Sequence, residues 1–308
     1  MSTTAITLPT QAEKPAQQPF YSYRSVQQCL SQGISFLTDH FLRFLWVSCP
    51  VAAPLALLLA LLVFHACYLR YYVGDQADAV LLAIVSLLIL CCASAYIGFI
   101  HRLIVRHKEG LSFDRLPFRK AYDRLFWRLS LYALVVNLFT LLLAAVCTGF
   151  GWAVDHWVVG GRPPFFHWAW ASLIALLLIL VLCPVNQCWA ACALSGKPLW
   201  AALLSGYRLG WQRWAKVFSL SLLTSIIVCV VSLLLLSPAV VVALTQMSAT
   251  QSQLSGDVVT LPAGFAVTTF LILFVSMVIC SLLNWVQLVP QAYLYASLQT
   301  QAASEESR

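Results

Sequence analysis

Charge is scarce in this sequence. Asp, Glu, Lys and Arg make up 9% of its 308 residues, against about 25% in soluble domains. A water-soluble chain of this length would have no adequate polar surface with so few charges. Six stretches carry none: residues 45–69, 79–100, 129–154, 168–194, 217–244 and 261–298. Ionisable groups at bilayer depth mark ion and proton pathways, so their absence from these stretches argues against transport coupled through a carboxylate. Two further absences exclude more. Residues 1–19 have no apolar h-region, so a cleavable signal peptide is not expected. The presumed outer loops, 70–78, 155–167 and 245–262, contain none of the eleven cysteines, so a secreted-type disulfide framework is not expected either.

Apolar residues, by contrast, reach 61%. A helix crosses about 30 Å of hydrocarbon with roughly 20 apolar residues. The pattern predicts an all-α fold, a polytopic membrane bundle of about six transmembrane helices plus cytoplasmic amphipathic interfacial helices. Spans are expected near 45–69, 79–100, 129–154, 168–194, 217–244 and 264–285. In the sixth, Asn284, Gln287 and Pro290 mark emergence into the headgroup region. Residues 1–21 read as a disordered tail, rich in Pro, Gln and Thr, 22–298 as one membrane domain, and 299–308 as a second tail.

Arg70 and Arg162 alone among the eighteen Lys and Arg fall on one side of this arrangement. The positive-inside rule then predicts both termini on the cytoplasmic side of a plasma (inner) membrane. Three cytoplasmic segments have helical apolar periodicity. In the first, Val26, Leu30, Ile34, Leu37 and Phe41 oppose Gln27, Gln28, Ser31, Ser35 and Thr38. Residues 114–128 form the second, and the third starts at Gly196-Lys-Pro198, with Leu199, Leu203, Leu204, Tyr207 and Trp211 on one side. Each runs into a span, so the chain reads as three units of interfacial helix, span, loop and span. This suits a true internal repeat and three unrelated hairpins equally.

No residue set amounts to a catalytic or cofactor motif, so neither an enzyme nor a bound cofactor is expected. His65 and His101 read as interfacial histidines, having no partner at metal-ligand spacing. Asp155, His156 and His167 are too far apart along their loop to suggest a metal site. Cys188 and Cys192 share a helix face and read as small packing residues. Trp46, Trp127, Trp152, Trp157, Trp168, Trp170, Trp211, Trp214 and Trp285 cluster at span ends, as an aromatic belt requires. The best polar constellation is Pro184, Asn186, Gln187, Asn284, Gln287 and Pro290. Its amides can join helices at about 0.6–2 kcal/mol each, and its prolines free backbone carbonyls. It reads first as interhelical glue, and alternatively as a substrate site.

Between Arg102 and Arg128 eight basic residues face three acids. Arg115, Arg119, Lys120, Arg124, Arg128, Arg208, Arg213 and Lys216 are the candidate contacts to anionic lipid headgroups, each charge contributing about 1 kcal/mol near the surface. Membrane lipids are thus the expected partners, with an unidentified membrane protein or a second copy of the chain also open. Nucleic acid is not expected, because Leu, Phe and Trp interleave with the basic run.

Three stretches carry a likeness to known proteins: Gly33-Ile-Ser-Phe-Leu-Thr-Asp-His-Phe-Leu-Arg-Phe-Leu45, Gly210-Trp-Gln-Arg-Trp-Ala-Lys-Val-Phe218 and Pro290-Gln-Ala-Tyr-Leu-Tyr-Ala-Ser-Leu298. With the six-span layout, the chain resembles a broad group of bacterial inner-membrane proteins. That group includes the membrane domain attached to some glycerophosphodiester phosphodiesterases. The resemblance implies architecture and no activity, and no fused phosphodiesterase domain is expected after Leu298. The expectation is a non-enzymatic envelope accessory, or a protein that organises lipid or a complex. The alternative is a transporter or exporter of a neutral or lipidic solute.

Overall fold

The computed structural model describes residues 20–67, 75–110, 124–154, 156, 164–256, 262 and 264–306. Most of these are helical, with no strand among them. The elements are α1 (Val26–Asp39), α2 (Phe41–Cys67), α3 (Asp75–Lys108), α4 (Arg124–Val154), α5 (Pro164–Leu182), α6 (Val185–Leu194), α7 (Leu199–Gln212), α8 (Trp214–Leu254) and α9 (Phe265–Glu306). Six helices are long and apolar enough to cross a membrane, with α5 and α6 together making the fourth.

Local chemistry sets the breaks. Ser25 caps α1 by accepting from the Gln28 N–H, while the Gln28 side chain accepts from the Ser25 N–H. This reciprocal capping box fixes where the helix begins. Pro184 divides α5 from α6, because it has no N–H to give to Leu180 one turn earlier. The freed Leu180 carbonyl accepts instead from Trp214 Nε1 at 3.3 Å, and the next carbonyl, Val181, from the Tyr207 hydroxyl at 3.3 Å. Side chains of α7 and α8 thereby satisfy a backbone that lipid could not. Gly196, at φ +66, ends α6 in the left-handed conformation that glycine adopts without strain. Pro290 behaves differently from Pro184: α9 runs through it without interruption.

Several helices exceed the expected spans. The basic end of α3 stays helical to Lys108, and α9 continues to Glu306, so most of the expected 299–308 tail is helix. Of the expected tail 1–21, residues 1–19 lie outside the described residues. Phe20 and Tyr21 are packed: the Phe20 ring lies 5.1 Å from that of Tyr293, and the Tyr21 hydroxyl donates to the Leu194 carbonyl.

Neighbouring spans pack as the hairpins α2–α3, α4–α5 and α8–α9, and α9 also lies along α2. The core is unevenly distributed along the bundle. Its largest cluster gathers at the end where the basic residues lie, around Phe36, Phe44, Tyr96, Phe99, Ile100, Leu103, Trp285 and the α9 stretch Val289 to Leu298. Toward the opposite end α2, α8 and α9 stay joined through Ala60, Ala239, Ala243 and Leu273. Over the same depth, residues 79–93 of α3 and 170–182 of α5 bury no side chain within the protein.

Small residues let the helices approach. At Gly33 of α1 a Cβ would stand 2.6 Å from Pro290 Cγ of α9, and at Gly98 of α3 it would stand 2.6 Å from the backbone of Ser130 in α4. Gly206 and Gly210, four apart on α7, press on α6 and Pro184 in the same way. Such contacts replace the hydrophobic driving force that lipid removes between helices. The burial on α1 meets expectation in part: Val26, Leu30 and Leu37 pack against the core. Cys29, Gly33 and Phe36 are its buried positions, whereas Ile34 and Phe41 are exposed. The expected polar side, including Gln27, Gln28, Ser31, Ser35 and Thr38, is exposed.

Candidate functional site

The amide cluster forms, with a different membership from that expected. Val185–Leu194 places Gln187 wholly inside the bundle, facing α9. Its Nε2 donates to Gln291 Oε1 at 2.8 Å, and Gln291 Nε2 donates to Ser221 Oγ of α8 at 2.9 Å. Asn186 Nδ2 donates to the same Ser221 oxygen at 2.9 Å. Three helices are thus tied by one polar chain, in which Ser221 is the shared acceptor. Gln187 Oε1 is buried and accepts no hydrogen bond among the described residues. A buried carbonyl oxygen without a donor costs free energy, so it is the one point in the network with capacity for another group.

Asn284 and Gln287 are not part of it. Asn284 is exposed and donates to the Ser281 carbonyl of its own helix. At about 1.5 Å per residue it lies two turns up α9 from Gln291, beyond the level that α6 reaches. Gln287 is half-buried, one turn from the network. Pro290 faces Gly33 of α1, and Pro184 packs under Gly210. Ser221 and Gln291 escaped the sequence reading. A serine in an apolar run carries no signal, and Gln291 was read as lying past the point of emergence. Asn137, another amide in the spans, donates to Ser94 Oγ across the α4–α3 contact at 3.0 Å.

A second polar layer seals the basic end. Arg24 is 2% exposed, with its guanidinium 5.3 Å from the Tyr293 ring and Nη1 donating to the Phe20 carbonyl at 2.7 Å. Ser297 Oγ accepts from the Arg24 N–H at 2.9 Å and donates to the Arg24 carbonyl at 3.1 Å, so the described N-terminal segment and α9 meet at this end. His107 shares a 3.0 Å hydrogen bond with the Tyr293 hydroxyl. Lys108 Nζ donates to the Leu194 carbonyl at 3.2 Å, a cation at the negative end of α6.

Of the candidate headgroup contacts, Arg115, Arg119 and Lys120 lie outside the described residues. Arg124, Arg128 and Arg208 are exposed, and Arg128 Nε donates to the Tyr132 hydroxyl at 3.0 Å. Arg213 and Lys216 flank the start of α8 and turn toward the end of α9. There Arg213 pairs with Glu305, and Lys216 Nζ donates to Gln301 Oε1 at 3.0 Å.

Three expectations at the span ends need correction. Trp285 is no belt residue: it is 3% exposed, and its Nε1 donates to the Tyr96 hydroxyl at 2.7 Å, which in turn donates to the Ser281 carbonyl at 2.9 Å. His101 is buried with its ring stacked on Trp189, and His65 is buried too, so neither stands among headgroups. Trp285 and His101 were placed by distance from a span end, but α9 and α3 continue as helix and carry these positions into the packed end, whereas His65 is buried at the other end of the bundle, in the last described turn of α2. Trp46, Trp127 and Trp211 are exposed, as a belt residue would be. Cys188 and Cys192 lie in a core cluster with Val136, Ala202 and Leu203, consistent with their packing role.

An all-helical bundle with six apolar helices of crossing length defines the class: a multi-pass α-helical membrane protein. No protein-family model, curated protein or solved structure matches the chain.

Proposed function

We propose that this protein is a non-enzymatic component of a bacterial plasma (inner) membrane that organises lipid, or a partner complex, through its basic end. Both termini then lie in the cytoplasm, where α1 and α7 act as amphipathic interfacial helices. Anionic headgroups are the primary partner, with a membrane protein or a second copy of the chain as the complex it organises. The relation to the six-span inner-membrane group belongs to this reading and contributes layout alone.

The observation that supports it best is the surface of α7. Ala202, Leu203, Gly206 and Gly210 are buried against the bundle, while Trp200, Leu204, Arg208 and Trp211 are exposed at spacings of four, four and three. An apolar, aromatic stripe interrupted by one arginine suits the headgroup boundary, where indole rings and cations both find partners. Arg124 and Arg128, exposed at the same end, add positive charge.

The test compares phospholipids copurified with the native chain against those of the parent membrane. Enrichment of anionic phospholipid supports the reading. A copurified composition equal to the bulk, together with no retained partner and unchanged membrane lipids on deletion, overturns it. Orientation is checked separately by impermeant thiol labelling of cysteines engineered into 70–78 and 102–128, of which only the first set reacts from outside.

The unpartnered Gln187 Oε1 favours one second reading, a carrier for a neutral or lipidic solute that donates a hydrogen bond inside the bundle. Gln187→Leu with Gln291→Leu abolishes flux in proteoliposomes if this holds. Unchanged flux in a correctly folded double variant removes it.

A further inference from the structure

We infer that the cavity between the start of α8 and the end of α9 binds a phosphate group, and that Glu305 occupies the place of that anion when the site is empty. The inference deepens the lipid-organising reading, on which the lipid form of the ligand rests.

The cavity measures about 370 Å³ and is lined by Tyr23, Arg213, Lys216, Thr300, Gln301, Ser304 and Glu305. That volume falls within the roughly 300–1,000 Å³ of small-ligand sites. Its lining holds two cations, three hydroxyls and an amide around one carboxylate. Lys216 Nζ lies 5.6 Å from the Tyr23 ring, which holds the ammonium at the wall. Arg213 is also the residue from which α8 starts, and no side chain caps that start. The Lys216 and Val217 N–H groups are already taken by the Arg213 carbonyl, and α7 ends at the same residue, so the positive charge of the site comes from the two side chains. Guanidinium and ammonium together suit a phosphate, because its oxygens accept from both.

Glu305 supplies what the lining otherwise lacks. Its carboxylate pairs with Arg213, although the Glu305 side chain is 63% exposed and that of Arg213 only 33%. The arginine is thus held by the wall, whereas the carboxylate reaches in from water. An exposed pair of this kind contributes little stability, so an incoming phosphate displaces it at small cost. The shared chemistry is a phosphate monoester or diester, which either a phospholipid headgroup or a free phosphate supplies. The exposed Trp200 and Trp211 of the preceding helix favour the headgroup level, and hence the lipid.

The test uses the full chain purified in detergent. One arm titrates dioleoylphosphatidylglycerol, with dioleoylphosphatidylcholine for comparison, read by native mass spectrometry. The other titrates inorganic phosphate by calorimetry. Arg213→Gln with Lys216→Gln weakens binding roughly thirtyfold, about fivefold for each charge, while Glu305→Gln strengthens it about fivefold. Lys197→Gln, elsewhere on the same end, leaves it unchanged. Arg213→Lys with Lys216→Arg keeps both charges and retains binding, which separates loss of the site from loss of the fold. Response of the phosphatidylglycerol arm alone identifies a lipid site, and response of the phosphate arm alone a free-phosphate site. Native affinity in the double glutamine variant overturns the inference, as does absence of binding in both arms or weaker binding by Glu305→Gln. If the native chain prefers anionic lipid and the double variant keeps that preference, this site falls while the lipid-organising reading stands. If only inorganic phosphate binds, the site stands and that reading falls.

Discussion

Replacing Gly33 by valine releases α1 from the bundle, and Cys29 reports the release. A Cβ at position 33 would stand 2.6 Å from Pro290 Cγ and 3.0 Å from Pro290 Cδ and N. Carbon atoms prefer about 3.5–4.0 Å, so α1 and α9 must part by about 1 Å. Overpacking of this kind costs about 1–3 kcal/mol. Loss of the helix penalty of glycine returns up to about 1 kcal/mol for alanine and less for valine. Gly33→Ala, whose Cβ meets the same contact, therefore loses about 1 kcal/mol of docking and Gly33→Val about 2 kcal/mol, the latter equivalent to about thirtyfold in the undocked fraction. Cys29 is 0% exposed in the docked helix. Burial pushes its thiol up to about 11, against the downward pull of Arg24 and Lys216. An undocked Cys29 returns toward about 8.5, and the thiolate is the reactive form. The docked state thus favours the protonated thiol. Docking is fully supported below about pH 8.5 and weakens as pH rises toward 11. The assay is maleimide alkylation at pH 8 in detergent, with the Cys29 peptide quantified by mass spectrometry apart from the exposed Cys49, Cys91 and Cys229. Gly33→Val raises the Cys29 rate about thirtyfold, and adding Pro290→Ala restores part of the protection. Equal rates in native and Gly33→Val chains would refute the argument, as would a native Cys29 that reacts as fast as in the unfolded protein.

Other expectations follow from single contacts. Gly206→Val and Gly210→Val drive a side chain into Ala191 Cβ, 2.7 Å from the first Cβ, and into the Pro184 carbonyl, 2.8 Å from the second; each lowers the thermal midpoint in detergent, and an unchanged midpoint contradicts the packing of α7. Trp285→Phe removes the 2.7 Å bond to Tyr96 and costs about 1–2 kcal/mol, whereas in a Tyr96→Phe background the further loss is much smaller, as a double-mutant cycle measures. Ser221→Ala strips the acceptor from both Asn186 and Gln291 and costs about 0.6–2 kcal/mol; equilibrium unfolding in mixed micelles that shows no change would mean the amides find other partners.

The six crossing helices were legible because oil tolerates long uncharged helices and water does not, a distinction that composition alone carries. Helix ends were less legible. A run of apolar residues gives a lower bound on helix length: α3 and α9 continue among charged and polar residues, some of which find partners at the packed end, as His107 does with Tyr293 and Lys108 with the Leu194 carbonyl. That extension explains why Trp285 and His101 were read as interfacial and are buried. The docked side of α1 was legible in part, since Val26, Leu30 and Leu37 do pack on the core. Hydrophobicity singles out Ile34 and Phe41, but α9 selects the residue that permits the closest approach, Gly33, and its neighbours follow. The amide cluster was half legible. Asn186 and Gln187 stand out in an apolar run, while their partners depend on which turns of α8 and α9 come level with α6, and that is a property of three helices at once.

Among the described residues the core is larger at the basic end, while the opposite end keeps a smaller buried set that includes Ala239, Gln246 and Thr250, and this difference bears on how the bundle answers the bilayer. Residues 79–93 of α3 and 170–182 of α5 are exposed or half-buried, so in a bilayer its thickness and lateral pressure act on those turns directly. A thinner membrane tilts them without touching the packed end around Tyr96, Trp285 and Arg24. Strain entering there is taken up first by those less buried turns, and the packed basic end is the last to change shape.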